Sequence, residues 1–331
     1  MKERKLRTRP VILSGEYSLP FAERVASHLD LPVTPTTVTH FANTEINAHI
    51  EESVRDATVF AIQSHGAPVN DNLMEHLAIV QAAQLGSAHE VTAIAPYRGY
   101  GRADRMAKPH DAFMGKLSMQ FFELAHARRF IEVDPHSGQS SGFANGMLYE
   151  SIPAAPVLRD DIANVMATLD NEPVIVSPDF GRDKLNERYA ALLGGLDLAV
   201  IAKNRDGVNH VNVQRVIGEV AGKVCFMIDD MIDTGGTIVK GAQALRDRGA
   251  AAVYIYTTHP IFSDPAGERL SKAVADGVIE EVVATDTLRI PDSFEPGVVR
   301  TVSVAPLVAA AITKIYHGES VSGYFNGETH H

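Results

Sequence analysis

The chain has 331 residues, 45% of them hydrophobic and 21% charged, and a formal net charge of −11. The length suits two domains of ordinary size, and the composition suits a globular fold. An acidic chain argues against a broad nucleic-acid or membrane surface, so anionic ligands must be drawn by local basic residues or by a metal ion. Cys225 is the one cysteine and lies inside an apolar run. That predicts a buried thiol, allows no disulfide within the chain and fits the cytoplasm. No run reaches the length of a membrane span, and the basic start, Met1 to Pro10, leads into no signal-type apolar stretch. The terminal His330 and His331 are set aside as native residues or a tag remnant.

Pro10 to Ser14 is a short apolar run before a helical pattern from Leu19 to Leu29, and Thr36 to Phe41 reads as a strand. Thr58 to Gln63 alternates as a strand, Asn70 to Leu85 carries a helical apolar face through Leu73, Leu77 and Val80, and Val91 to Pro96 is a further strand. Tyr97 to Lys108 has no periodicity and is rich in Gly, Arg and Tyr, which predicts a long mobile loop. Ala112 to Ala127 is helical, and Phe130 to Asp134 is a strand that runs into PHSGQSSG. The pattern then restarts with a strand at Val174 to Val176, a helix at Asn186 to Leu193, a strand at Leu198 to Ile201 and a small excursion at Gln214 to Gly222. Next come a strand at Val224 to Ile228, a helix at Ile238 to Arg248 and a strand at Val253 to Thr257. A helix at Ala266 to Asp276, a strand at Ile279 to Ala284, and a strand then helix at Val302 to Tyr316 complete the chain. Strands alternating with helices give βαβ units and mostly parallel sheets covered on both faces. Two α/β halves follow one another, with a boundary near Pro153 to Asp160.

In such sheets ligands gather beyond the carboxyl ends of the strands, and polar clusters follow the apolar runs at those positions. The most informative is Asp229 and Asp230 after an apolar strand, then Asp233, Thr234, Gly235, Gly236 and Thr237 ahead of a helix. Free N–H groups at a helix start and glycines that let the backbone come close suit a phosphate. The acids repel phosphate but suit sugar hydroxyls, or a Mg²⁺ that accompanies phosphates. The pieces describe a pocket for a phosphorylated sugar; the alternative is a βα turn with an acidic cap. His136 at a strand end suits a metal or a phosphate oxygen, or is a satisfied loop histidine. Lys203 and Arg205 suit the charge of a transferring phosphoryl group, or are an exposed charged loop. Phe41, Asn43 and Glu45 alternate, so in an extended segment they share one side, where Phe41 can stack on a base and the others hydrogen-bond its edge. An ordinary strand end is the alternative. Arg102, Asp104 and Arg105 lie in the unperiodic loop, where Arg forks suit polyphosphate or face solvent.

The stretch Val224 to Ile238 resembles the ribose 5-phosphate loop shared by type I phosphoribosyltransferases and ribose-phosphate diphosphokinases, and by itself does not choose between them. The clusters together, with NDNLMEHL, VNVQRVIGEVAGK and GESVSGYF, resemble a ribose-phosphate diphosphokinase from about Phe41 to Phe325. That resemblance implies two tandem phosphoribosyltransferase-like α/β domains, each a mostly parallel sheet flanked by helices. They are an ATP-binding domain over 10–155 and a ribose 5-phosphate-binding domain over 156–316, with a segment over 317–331 that crosses back to the first. It implies transfer of the β,γ-diphosphoryl group of Mg-ATP to the C1 hydroxyl of ribose 5-phosphate, giving phosphoribosyl diphosphate and AMP, in nucleotide biosynthesis. The family works as a cytoplasmic homohexamer built from dimers.

By the same resemblance, Lys203 and Arg205 stabilise the transferring group, and Arg205 also meets ribose 5-phosphate. Asp233 to Thr237 hold the 5-phosphate, and Asp229 and Asp230 the ribose hydroxyls and associated Mg²⁺. Phe41, Asn43, Thr44 and Glu45 hold adenine, Arg102 and Asp104 the ATP phosphates, and His136 and Asp179 take the metal-associated positions, His136 also meeting ATP. Ser53, Arg55, Ser320 and Ser322 keep a regulatory phosphate site. The chain departs from the family pattern at Asn43 and Thr44 (usually Asp and Gly), at Ala103 (usually Gln), across Lys108 to Lys116, and at Arg182 and Asp183 after Asp179. It departs also at His89 and Glu90, where a Ser-Arg pair is usual; a carboxylate there repels phosphate, so activation by phosphate and inhibition by ADP are expected to be weak. Other readings are a non-catalytic partner of a true synthase, and the same transfer with another nucleotide or sugar phosphate.

Overall fold

The computed structural model describes residues 8–179, 183–203 and 214–325. The chain divides into two compact units, Met1–Pro153 with Val304–His331, and Ala154–Ser303.

The sheet of the first unit runs β1 (Pro10–Ser14), β4 (Thr58–Ile62), β5 (Glu90–Ala95), β6 (Arg129–Val133), β7 (Leu148–Ile152), with every neighbouring pair parallel. All five residues of β4 are buried, so the alternation expected there gives way to the continuous run typical of a strand covered on both faces. β2 (Thr36–His40) and β3 (Ile46–Ile50) form a separate antiparallel hairpin. Helices α1 (Leu19–His28), α2 (Val69–Leu85) and α3 (Met114–Leu124) belong to this unit. Val59, Ala61, Ile79, Val91, Met119, Phe122 and Phe130 share its core. α8 (Ala305–His317) packs on α1, and the Tyr316 hydroxyl donates to the Thr8 carbonyl at 2.7 Å. The helix that the sequence pattern attaches to the second half therefore packs with the first.

The sheet of the second unit runs β10 (Gln214–Ile217), β9 (Asp197–Lys203), β8 (Pro173–Ser177), β11 (Val224–Ile232), β12 (Ala252–Pro260), β13 (Glu281–Thr285), β14 (Val299–Val302). All neighbours are parallel except β10, which pairs antiparallel with β9 at the edge. α4 (Ala155–Met166), α5 (Asp183–Leu192), α6 (Gly236–Asp247) and α7 (Ala266–Ala275) complete the unit. Val176, Ile201, Met227, Leu245, Ile255 and Leu270 share its core. From β8 the chain steps outward to β9, and from β11 it steps the other way to β12, so the order reverses between β8 and β11. A reversal of that kind opens a crevice beyond the strand ends. Among the described residues no helix is long and apolar enough to cross a membrane.

Candidate active site

In the second unit β11 is longer than its apolar run. The ladder with β12 continues through Asp229 opposite Thr257 to Ile232 opposite Pro260. Asp229 and Asp230 therefore sit within the strand rather than beyond it, as the sequence had suggested. Neighbours on a strand face opposite sides; Asp229 is half-buried and Asp230 is buried. Asp229 Oδ1 accepts the Asp230 N–H at 2.9 Å. Asp233 and Thr234 follow, and α6 then opens on Gly235, whose φ of 71° is left-handed and suits glycine. No side chain caps this helix. A Cβ on Gly235 would lie 3.4 Å from Leu270 Cγ, so α7 backs the turn closely. Arg269 on α7, which no motif singles out, donates from Nη1 to the Thr234 carbonyl at 3.0 Å. Thr234 and Thr237 are exposed, Gly236 and Asp233 half-buried.

Across the crevice, Asp179 is half-buried just past β8, its carbonyl accepting the Ser177 hydroxyl at 2.6 Å. Buried Asn186 on α5 donates to both Ser177 Oγ and the Ile228 carbonyl at 3.3 Å, linking the end of β8 to the middle of β11. Lys203 is the last residue of β9. Arg205 lies outside the described residues, as do Arg182, His330 and His331. Cys225 is fully buried in β11, and desolvation pushes its thiol up to about 12, in keeping with a structural thiol.

In the first unit Phe41 to Glu45 form the hairpin tip. Phe41 N–H donates to the Glu45 carbonyl and Thr44 N–H to the Phe41 carbonyl, both at 2.8 Å, and Asn43 Oδ1 accepts the Glu45 N–H at 3.2 Å. The segment is a tight turn, not the extended strand end that would place Phe41, Asn43 and Glu45 on one side by alternation. Phe41 is half exposed, at 50%, and Thr44 has φ 69°. Arg102 is exposed and Asp104 half-buried in the loop after β5. The start of that loop is pinned rather than free: Ala103 N–H donates to the Tyr100 carbonyl and Gly115 N–H to the Ala103 carbonyl, both at 2.9 Å. His136 is half-buried after β6, and a Cβ on Gly101 would stand 4.0 Å from its Cβ, so the two strand-end loops adjoin.

Of the regulatory candidates, Ser53 Oγ accepts the Arg55 N–H at 3.4 Å in an exposed turn. Ser320 caps α9 (Val321–Tyr324), accepting the Gly323 N–H at 3.1 Å, with the Ser322 hydroxyl 3.2 Å away. His89 and Glu90 line a polar depression of about 490 Å³ together with Gln84, Glu123, His126 and Arg128.

Known proteins match this chain over nearly its whole length. The family model for the N-terminal domain of ribose phosphate pyrophosphokinase matches residues 10–125, and that for the phosphoribosyl synthetase-associated domain matches residues 188–326. The chain is 41% identical over 327 residues to a ribose-phosphate pyrophosphokinase of Corynebacterium efficiens, covering 96% of each. It is 42% identical over 321 residues to that of Corynebacterium glutamicum, again with 96% of each covered. Among solved structures, the phosphoribosylpyrophosphate synthetase of Mycobacterium smegmatis superposes with a TM-score of 0.87 at 37% identity, over 94% of this chain and 100% of that one.

Proposed function

The chain belongs to the ribose-phosphate pyrophosphokinase family, and from that premise we infer how its own residues move the β,γ-diphosphoryl group of ATP to ribose 5-phosphate. The C1 hydroxyl oxygen of the sugar attacks the β-phosphorus and gives up its proton. The bond from that phosphorus to the oxygen bridging the α-phosphate breaks, and its electron pair leaves with AMP. Such transfer asks little covalent work of the protein; it needs positioning and positive charge where negative charge develops.

The observation that carries the acceptor assignment is α6. It opens on a left-handed glycine, has no side-chain cap, and stands where the strand order reverses. Asp233 to Thr237 would hold the 5-phosphate on the leading amides, with Arg269 fixing the turn from behind. Asp229 and Asp230 would accept from ribose hydroxyls, and Lys203 and Arg205 would meet the transferring group. The donor assignment rests on the first unit, with Phe41, Asn43, Thr44 and Glu45 at the base, Arg102 and Asp104 at the phosphates, and His136 toward ATP and a metal; in the second unit, Asp179 past β8 would also serve a metal. Among the described residues no group of three or more His, Cys, Asp or Glu side chains is placed to hold a metal. Hard carboxylate oxygens beside a phosphate site nevertheless fit Mg²⁺, which takes one or two carboxylates plus substrate phosphates. Its chemistry there would be to neutralise phosphate charge. A cytoplasmic hexamer built from dimers is the assembly proposed with this reading.

The test is AMP release from ATP with Mg²⁺, with and without ribose 5-phosphate. Release that requires the sugar phosphate is expected. No turnover, with the chain instead bound to an active synthase, would make it a partner subunit. Because Asn43 both donates and accepts, the same assay across nucleoside triphosphates reads base preference. Glu90 stands where the family pattern has an Arg, and a carboxylate there would repel an anionic effector, so activation by inorganic phosphate is expected to be weak; a steep rise in rate with phosphate contradicts this.

A further inference from the structure

Arg98 opens the loop after β5 and is 3% exposed, a rare place for a guanidinium. All three of its nitrogens donate. Nε reaches Glu132 Oε2 at 2.9 Å, Nη1 the Gly115 carbonyl at 3.1 Å and Nη2 Ser140 Oγ at 2.8 Å. The other Glu132 oxygen accepts the Tyr149 hydroxyl at 2.8 Å. These partners come from β6, from the start of α3, from the short 3₁₀ helix Gly138–Gly142 and from β7. Next along the chain, Gly99 N–H donates to buried His65 Nδ1 at 3.1 Å. The ring closes through the loop itself, since Gly115 also holds the Ala103 carbonyl. The His136 loop meets the Arg102 loop at this point: a Cβ on Gly101 would lie 3.9 Å from Arg98 Nη2 as well as 4.0 Å from His136 Cβ.

A buried ion pair is a poor source of stability, because desolvation offsets most of the attraction and an apolar pair of like volume often serves as well. An apolar pair cannot, however, donate to the Gly115 carbonyl and the Ser140 hydroxyl at once. We propose that Arg98 is a positioning residue for the triphosphate donor. Its fork, anchored on Glu132, sets the spacing between the loop bearing Arg102 and Asp104 and the loop bearing His136. The proposal rests on the diphosphokinase reading and names a residue outside the groups that reading assigns.

The decisive variant is Arg98→Met combined with Glu132→Leu, which removes both charges together and strands neither. It is expected to keep a cooperative melt with a lowered midpoint, because the Gly115 carbonyl, the Ser140 hydroxyl and the Tyr149 hydroxyl each lose a partner. Its KM for ATP is expected to rise about tenfold or more, as misplaced loops require, with KM for ribose 5-phosphate within about twofold. Ser140→Ala cuts only the link to the His136 loop and is expected to raise KM for ATP about threefold, an effect readable even if the double variant fails to fold. Arg98→Lys keeps the charge without the fork and should fall between the parent and the double variant. An unchanged KM for ATP in Ser140→Ala, or in a double variant that still melts cooperatively, overturns the proposal. A parallel rise in both KM values does the same. A parent enzyme that releases no AMP removes the underlying reading, and the proposal with it.

Discussion

Thr44 occupies the tip of the β2–β3 hairpin at φ 69°, where the chain turns on hydrogen bonds between Phe41, Thr44 and Glu45. A side chain in the left-handed region costs about 1–2 kcal/mol, and glycine avoids that while giving back roughly 0.5–1 kcal/mol through its freedom when unfolded. Thr44→Gly is therefore expected to stabilise the first unit by roughly 0.5–1 kcal/mol net, read as a midpoint higher by a degree or more in a thermal melt. A midpoint that stays or falls contradicts the strain. Lys203 makes a different residue-scale claim. Standing last in β9, it is placed by the proposed mechanism against charge that appears only during transfer. Removing such a group slows turnover by roughly 10²–10³. Lys203→Ala should lower kcat by that order with KM for ribose 5-phosphate little changed; matched losses in both parameters would show that it binds the ground state instead.

At the scale of elements, two buried histidines join β4 to α2 and to the loop after β5. Gly99 N–H can only donate, so His65 Nδ1 accepts. His65 Nε2–H then donates to His76 Nδ1 at 3.1 Å, and His76 Nε2–H to the Ala61 carbonyl at 3.1 Å. An added proton on either ring breaks the chain. Burial holds His76 down to about 3. His65 is held well below its usual value by burial, then by His76 and Arg98. Unfolded, both rings titrate near 6.5. Below that pH and above the folded values the unfolded chain carries the extra protons, so stability falls as pH falls, by about 1.4 kcal/mol per unit for each histidine. Denaturant titrations from pH 7 to 5 should show this loss, and His76→Gln should remove part of the slope; stability level across that range would contradict it. The same elements explain what the sequence disclosed. The strands β1, β5 and β11 were visible because burial on both faces writes an apolar run. The end of β11 was not, because Asp229 and Asp230 look like a stop while the ladder runs on to Ile232. The β2–β3 hairpin was half hidden: neither strand carries a fully buried residue, but β2 is rich in β-branched Thr36, Thr37, Val38 and Thr39 while β3 interleaves Asn47 and His49. α2 was read from Leu73 and Val80, but it also buries Asn72, Glu75 and His76, which periodicity counts as solvent-facing. The Asp233 to Thr237 turn was legible because a left-handed helix entry calls for glycine. Arg98 was not, because its partners Glu132 and Ser140 lie 34 and 42 residues away.

At the scale of the whole molecule, the two units are built from the chain in unequal ways. The second is one continuous stretch, Ala154–Ser303, while the first needs Met1–Pro153 and Val304–His331 together. The tail contribution is concrete: α8 buries Leu307, Val308, Ala311 and Ile312 and lies on α1. α1 in turn buries Phe21, Ala22, Val25 and Ala26. Losing that cover removes several apolar side chains from contact, each worth about 1.5–3 kcal/mol when fully buried, against a total of about 5–15 kcal/mol for a typical domain. A fragment of residues 154–303 is accordingly expected to melt cooperatively by itself. A fragment of residues 1–153 is expected to lack a cooperative melt and to recover one when residues 304–331 are supplied, fused or as a peptide. Circular-dichroism melts of the three preparations check this. If residues 1–153 unfold cooperatively without the tail, α8 is an accessory to the first unit and not a part of its core.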